Sequence, residues 1–411
     1  MRYRIAKSAA YRGLISVICV LCFSTAQRGS TPGISDDYVP GEVTVVLKPD
    51  VDPDGVAAQH GSLALERIEN TNAYRFRVPA GSTVKDFSAE LKRDSNFISA
   101  DPNTVVKPPE IRQVSQAFVD QISQAFVDKQ YPAQFYGQSS LSGLHIAEAL
   151  NLATGAGVTV AVIDTGIDFD HPLFAGRLSW PNQDFVDGDS NPSEDLNGPA
   201  AGHGTFIAGL IALAAPGAKI MPLRAFAADG TATTFSIAKA IRFACDHGAN
   251  VINMSFGVIA PDGLLKDTLT FAHQKTFLIS SAGNDNLDFL QFPGVVDSQT
   301  LSVGATTSDD RRASFSNYNQ KIGVVAPGEQ IYSAYPGGRW AYWSGTSFST
   351  ALVSAEAAQL LSLNPTLNRS NLGSLIKDSG VNIDSLNPGY SRKLGRRIDF
   401  LRSVQLLQSR N

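Results

Sequence analysis

Hydrophobic positions along the chain follow two regimes. Between Val39 and about Val106 they form short runs broken by polar turns. "EVTVVLKP", "LALERIEN", "AYRFRVP" and "FISADPNTVV" read as strands, and "DGVAAQHG" as a short helix. In "STVKDFSAELKRD", Val84, Phe87 and Leu91 recur at helical spacing behind a Ser82 or Thr83 cap, which predicts a second helix. The order strand, helix, strand, strand, helix, strand is that of a small ferredoxin-like α+β unit.

From about Leu141 to Leu407 the pattern changes. "GVTVAVID" is a continuous apolar strand, the kind buried on both faces of a parallel sheet. A helix should begin near His203 in "GHGTFIAGLIALAA". "AKIMPLRAF", "ANVINMSFG" and "FLISSAGN" read as strands, and "TTFSIAKAIRFACDHG" and "LLKDTLTFAHQKT" as helices. "QTLSVGAT" and "KIGVVAPG" add two more strands, and a helix after Ser347 runs through "ALVSAEAAQLLSL" to stop before Pro365. Alternating strands and helices imply an α/β fold, a mostly parallel sheet with helices on both faces. Ligands of such sheets bind at the carboxyl ends of the strands.

The first residues differ in kind. Arg2, Arg4, Lys7 and Arg12 precede the apolar run Leu14–Phe23, and "STA" follows, as in a secretory signal peptide. The run is too short for a spanning helix, and no later run is long enough, so no membrane association is expected once it is removed. Cleavage after Ala26 would take away four positive residues and no negative one, moving the net charge from −4 to −8. Neither Cys19 nor Cys22 follows a small residue, so lipid attachment is not expected, and Cys245 alone remains, without an intramolecular partner. At helical spacing with Ile237, Ile241 and Ala244, it reads as a buried small hydrophobe. The chain of 411 residues, with 43% apolar and 18% charged residues, is globular in composition and carries no basic tract that would suit nucleic acid. The expected boundaries are a signal peptide over 1–26, the ferredoxin-like unit over 27–110, a connector over 111–140 and the α/β domain over 141–411. In the connector, "QVSQAFVD" (113–120) is followed at once by "QISQAFVD" (121–128), which reads as a duplicated linker because two copies cannot build a repeat fold.

Three polar groups fall where a parallel sheet holds its ligands. Asp164 ends the first core strand, His203 stands at a glycine-flanked helix start in "GHGT", and Ser347 stands at another in "GTS". Acyl transfer by serine needs a hydroxyl to attack, an imidazole to take its proton and a carboxylate to hold the imidazole's tautomer. Asn284, at the end of "FLISSAGN", offers an amide N–H₂ to a tetrahedral oxyanion, as does the backbone N–H of Ser347. Capping alone would also place Ser347 at a helix start, but capping needs none of the other three groups.

With these residues in place, the chain resembles the subtilisin-like serine proteases, the subtilases. "VAVIDTGID", "GHGTFIAG", "SSAGND" and "SGTSFSTALVSA" match the family's motifs in spacing and in the order aspartate, histidine, serine. The resemblance covers about Leu141 to Leu407. It implies Asp164, His203 and Ser347 as the triad and Asn284 as oxyanion donor. It implies that Ser255, Phe256 and Gly257, with Ser281, Ala282 and Gly283, line the pocket for the side chain before the scissile bond. The segment Asp229–Ala232 would be an edge pairing with an extended peptide. The N-terminal unit resembles the inhibitory pro-domain that subtilases often carry, removed between Lys107 and Ser140. Together these imply a secreted endopeptidase, extracellular or periplasmic, monomeric, acting on peptide or protein substrates and inhibited by its own pro-domain. Catalysis requires no cofactor on this reading.

The chain departs from the family at Phe206, where a histidine is usual, at Phe348, where methionine is common, and at Ala351, Leu352 and Ala355. Ala232 replaces a frequent glycine in the pairing edge. None removes a chemical role, but they motivate one competing reading, a secreted peptide-binding protein with little turnover. Esterase work on small molecules would share the triad. His60, His145, His247 and His273 read as surface or satisfied polar residues, and His171 as ordering the turn after Asp164. The loop "DFVDGDSNPSED" has Asp187, Asp189 and Asn191 at alternate positions but lacks the glycine and final glutamate of an EF-hand. It reads as a solvated turn, with structural calcium, which many subtilases hold, as the alternative.

Overall fold

The computed structural model describes residues 37–108, 132–259 and 261–410; the signal segment 1–26 and the duplicated octapeptide lie outside them. The N-terminal unit is built from β1 (Tyr38–Leu47), α1 (Pro53–Gln59), β2 (Ala64–Arg67), β3 (Ala73–Arg77), α2 (Val84–Leu91) and β4 (Phe97–Val106). Every neighbouring pair in its sheet is antiparallel, in the order β2-β3-β1-β4. Alternation explains which face is covered. Val43, Val45 and Leu47 of β1 point to the same side and pack with Phe76, Phe87, Leu91 and Phe97. Thr83 is the cap of α2, its hydroxyl accepting from the N–H of Asp86.

The larger part begins with α3 (Pro132–Tyr136) and α4 (Ile146–Leu150). Then follow β5 (Thr159–Asp164), β6 (Gln183–Asp184), α5 (His203–Ala214), β7 (Lys219–Arg224), β8 (Ala232–Thr233), α6 (Thr234–Asp246), β9 (Val251–Met254), α7 (Gly263–His273) and β10 (Phe277–Ser281). It is completed by β11 (Leu301–Thr306), β12 (Val324–Pro327), the hairpin β13 (Ile331–Tyr335) and β14 (Arg339–Trp343), α8 (Thr346–Leu363), α9 (Arg369–Ser379), β15 (Arg396–Arg397) and α10 (Phe400–Arg410). Eight strands form one sheet in the order β15-β12-β11-β10-β9-β5-β7-β6, and every pair is parallel.

The continuous apolar strands are explained by two cores, one on each face. Val160 and Val162 of β5 enter the core shared with α5 and α8, whereas Ala161 and Ile163 enter the core shared with α6 and α7. Helix α8 runs through the first core with its first sixteen residues buried. Its hydroxyls are satisfied within the protein: Thr350 Oγ1 donates to the Thr346 carbonyl at 2.8 Å and Ser349 Oγ to the Ala326 carbonyl at 2.8 Å.

The N-terminal sheet does not end at β4. Strand β8 of the larger part adds to it antiparallel, Val105 opposite Thr233 and Val106 opposite Ala232, and Lys107 bridges Gly257. Val46, Ile68 and Ala73 of the N-terminal unit bury against Phe235, Ala238 and Leu264. The N-terminal unit also caps two helices across this seam. The Asn103 side-chain oxygen accepts from the N–H of Phe235 in α6 at 3.3 Å, and Asp101 accepts from the N–H of Gly263 in α7 at 2.8 Å.

Candidate active site

Asp164 is the last residue of β5, at the carboxyl edge of the parallel sheet. The chain turns away at Gly166, whose φ of +112° suits glycine. Helix α5 then begins at His203, and Gly204 lets its first turn close on the aspartate, because a Cβ there would strike the Gly166 carbonyl and lie 3.2 Å from Asp164 Cβ. Asp164 Oδ1 and His203 Nδ1 are 2.7 Å apart. The N–H of Thr165 donates to the same oxygen at 2.8 Å, so the carboxylate is held before it meets the ring. Held in this way, it fixes the tautomer with the Nδ1 proton toward Asp164 and leaves Nε2 as the basic nitrogen.

Ser347 lies in the first turn of α8, where N–H groups and the helix dipole favour negative charge. It is tied to Ser255: Ser347 Oγ donates to the Ser255 carbonyl at 3.3 Å, and Ser255 Oγ to the Ser347 carbonyl at 3.4 Å. The ring of Phe348, next in the chain, is 5.8 Å from that of His203. Asn284 follows β10 and its orientation is decided by its neighbours. Thr346 offers its N–H at 3.0 Å and its hydroxyl at 2.8 Å to one side-chain atom, so that atom is the oxygen and the amide N–H₂ points the other way.

The residues expected to line a pocket divide. Gly257 pairs with Lys107, Phe256 packs on Phe226 with ring centroids 5.4 Å apart, and Ser255 touches Ser347. The methyl of Ala282 packs instead with Leu290, Ile322 and Val325, and Gly283, at φ +103°, has its Cα against Asn317. Any lining by Ala282 and Gly283 is therefore by backbone, and Ser281 is buried at the end of β10. Asp164, His203, Ser347 and Asn284 are each at most 3% exposed in this intact chain. Val106 is fully buried in the core cluster that holds Ala232, Ile237 and Phe256.

Except for Ala232, which lies in the core on the other face of the sheet, the departures noted in the sequence fall in one core. Phe206 and Phe348 have ring centroids 4.4 Å apart, and Trp343 lies 5.8 and 5.6 Å from them and 5.7 Å from His203. Phe206 and Phe348 thus fill a common space, and Ala351, Leu352 and Ala355 are buried in the core. The remaining histidines are occupied elsewhere. His60 meets Glu90 and Asp94, His145 meets Asp399, and His247 and His273 meet backbone carbonyls. His171 accepts from Leu173 N–H and bonds the Arg339 carbonyl, and burial lowers its pKa. Cys245 is half-buried, less enclosed than its helical spacing suggested, and desolvation pushes its thiol up to about 12.

In the acidic loop Arg224 Nη1 contacts Asp184 at 2.6 Å and Asp187 at 2.5 Å, while Asp189 and Asn191 are engaged within the loop. Among the described residues no group of three His, Cys, Asp or Glu is arranged to hold a metal ion. The Arg224 guanidinium stands between the Asp184 and Asp187 carboxylates and offsets their charge. Two features beside the site escaped the sequence reading: the β13–β14 hairpin that delivers Trp343, and Glu194, whose loop carboxylate bonds Thr165 and Thr205 next to the Asp164–His203 pair. A "PGG" turn flanked by aromatic residues was the available signal for the hairpin; Glu194 has none.

The sequence profile of the subtilase family matches residues 155–395, and that of the fervidolysin N-terminal prodomain matches 24–103. A thermophilic serine proteinase of Bacillus sp. (strain AK1) is 33% identical over 336 residues, 79% of each chain. Thermitase of Thermoactinomyces vulgaris is 32% identical over 271 residues, 63% of this chain and 92% of its own. Among solved structures, fervidolysin from Fervidobacterium pennivorans, described as a keratinolytic enzyme related to subtilisin, superposes with a TM-score of 0.71 at 22% identity, covering 90% of this chain. This chain spans only 62% of fervidolysin, so that likeness speaks for the fold. Among the described residues no helix is long and apolar enough to cross a membrane. With a family profile over more than half of its length and a parallel sheet carrying aspartate, histidine and serine in that order, the chain belongs to the subtilase family of serine endopeptidases and carries an N-terminal pro-domain.

Proposed function

We propose that Ser347 is the nucleophile of this endopeptidase, His203 its general base and Asp164 the group that orients His203. His203 takes the hydroxyl proton as Ser347 attacks a peptide carbonyl. The Asn284 amide and the Ser347 N–H hold the oxyanion, and His203 then gives its proton to the leaving amine. Water hydrolyses the acyl-enzyme by the same path in reverse. The observation that carries this assignment is the 2.7 Å contact between Asp164 and His203 beside the helix start at Ser347. Backbone of Ser255–Gly257 and Ser281–Gly283 binds the substrate next to the scissile bond. An extended peptide follows the path that Val105–Lys107 takes between Ala232–Thr233 and Gly257.

The intact chain is on this reading a secreted zymogen. Residues 1–26 direct export, 27–110 form the pro-domain, 111–140 contain the maturation cut, and 141–411 form the mature, monomeric protease. Arg224 rather than calcium balances the acidic loop, and no step runs through a metal. The test is hydrolysis of an unfolded protein by pro-domain-free enzyme. Ser347→Ala should lose on the order of 10⁶ in kcat, and long peptides should exceed short esters in kcat/KM. Wild-type turnover equal to that of Ser347→Ala would remove the assignment.

A further inference from the structure

Helix α5, which begins with His203, has no side-chain cap of its own, because its N-cap is Gly202 at φ +87°. A helix start buried beside a catalytic centre needs partners for its orphan N–H groups. They come from a distant residue. Glu194 lies in the loop before α5 and is half-buried, with its carboxylate turned to donors on both segments. One carboxylate oxygen accepts from the N–H of Gly202 at 3.0 Å and from the hydroxyl of Thr165. The other accepts from the N–H of Thr205 at 3.0 Å and its hydroxyl at 2.6 Å. Thr165 follows Asp164, bonds its carboxylate through N–H, and accepts from the N–H of Gly204 at 3.0 Å. One carboxylate therefore joins the turn carrying Asp164 to residues on both sides of His203.

We propose that Glu194 is a positioning residue for the Asp164–His203 pair, bracing the two backbone segments at the separation their hydrogen bond requires and favouring, by its charge, the imidazolium formed in turnover. The inference rests on the triad assigned above. A carboxylate at a helix N-terminus is stabilised by the dipole, and four donors make this one stiff. Its geometry sets the distance between a strand end and a helix start, and errors there of an ångström are enough to slow a reaction by about 10²-fold.

The carboxylate's own titration falls in the working range. Burial pushes Glu194 up to about 7, with the charge of Asp164 adding to the rise while hydrogen bonds from Thr165 and Thr205 oppose it. The other charged and titratable groups around it are His203 on α5, Asp168 and Asp170 across a shared surface pocket, and Tyr335 on β13, whose pKa burial raises and Glu194 raises further. Arg339 lies with its guanidinium 5.0 Å from the centre of the Tyr335 ring. Above pH 7 Glu194 is ionised and its charge favours the imidazolium formed in turnover; below it, protonation releases the brace. The acid limb of the wild-type rate profile thus contains two groups.

The experiment uses the mature enzyme, with kcat and KM measured from pH 5 to 10 and normalised by active-site titration. Glu194→Gln keeps the size and loses the charge. Its kcat should fall about 10- to 10²-fold with KM nearly unchanged. Its acid limb should become a single-proton step and move about half a unit or more to lower pH. Glu194→Asp keeps the charge, so its limb should stay with the wild type although its shorter reach lowers kcat. Thr205→Val removes a hydroxyl donor that favours ionised Glu194, so the limb should move the opposite way, to higher pH. A Glu194→Gln enzyme with wild-type kcat and an unmoved limb overturns the proposal, as does one that only melts at lower temperature. If instead wild type cannot be told from Ser347→Ala, the triad reading has failed and not this one.

Discussion

Adding one methyl group to the protease should loosen the pro-domain without touching catalysis. Gly263 is the first residue of α7, and the nearest atoms a Cβ built there would meet all belong to the pro-domain: it collides with Ser99 Cβ, with Ser99 Oγ at 2.7 Å and Asp101 Oδ2 at 3.1 Å. The backbone N–H of Gly263 donates to Asp101 at 2.8 Å, and Asp101 is held within the pro-domain by Lys92 at 2.6 Å, so the side chain cannot turn aside without losing Lys92, and the pro-domain cannot shift there without losing the Gly263 hydrogen bond. Overpacking of this kind costs about 1–3 kcal/mol, which is about 5- to 150-fold in the inhibition constant of the pro-domain added in trans. In the mature enzyme Ser99 and Asp101 are gone, and replacing glycine by alanine in a helix is neutral or mildly stabilising. The assay is titration of mature wild type and Gly263→Ala with pro-domain, followed by the cross with a Ser99→Gly pro-domain, which removes the colliding atoms. Inhibition should weaken with the first pro-domain and recover with the second, at constant kcat/KM. An unchanged inhibition constant, or no recovery, would refute this docking geometry.

The same seam should respond to pH. Burial pushes Asp262 up to about 6, and Asp101 adds to the rise; once the pro-domain leaves, Asp262 regains water and its pKa falls toward the ordinary 3.8. A pKa that is higher in the complex means affinity is fully present at low pH and is lost as pH rises from about 4 through about 6, by on the order of 10-fold or more; Asp262→Asn should flatten the dependence, and a slope of opposite sign would contradict it. Asp164→Asn should cost about 10⁴ in kcat, since the imidazole tautomer is no longer held; single-turnover kinetics on a peptide ester will read it. Chelator should leave the melting temperature within about a degree, whereas Arg224→Ala, which strands the buried Asp184, should cost about 3 kcal/mol by denaturant unfolding; a large chelator effect would instead assign the loop to a metal.

The strands of the parallel sheet were legible because burial on both faces leaves continuous apolar runs, as in "TVAVID", and the helices flanking them because their core faces repeat at helical spacing. Ser347, His203, Asp164 and Asn284 were legible because each sits in a short motif at a strand end or helix start. Other features depend on contacts that no local pattern encodes. β8 is two residues long, and its joining of the N-terminal sheet is decided by what Val105 and Val106 find across the seam. The family resemblance placed Ala282 at a pocket, but that its methyl packs into a core cluster is encoded by no local pattern. Helix α9 went unread although Asn368 caps it, because only Leu372, Leu375 and Ile376 of its residues are large and apolar; α10 went unread although Phe400, Val404 and Leu407 recur at helical spacing, a pattern the sequence did carry. Glu194 was invisible for another reason: a loop glutamate acquires meaning only from the four donors the fold brings to it.

The central claim is that groups far apart in the chain make Ser347 nucleophilic. Peptide mapping of mature enzyme treated with a serine-directed phosphonate tests it most directly. The account predicts one adduct, on Ser347, formed at least a thousand times more slowly in His203→Ala. Labelling of another serine, or of Ser347 at the same rate without His203, would contradict it.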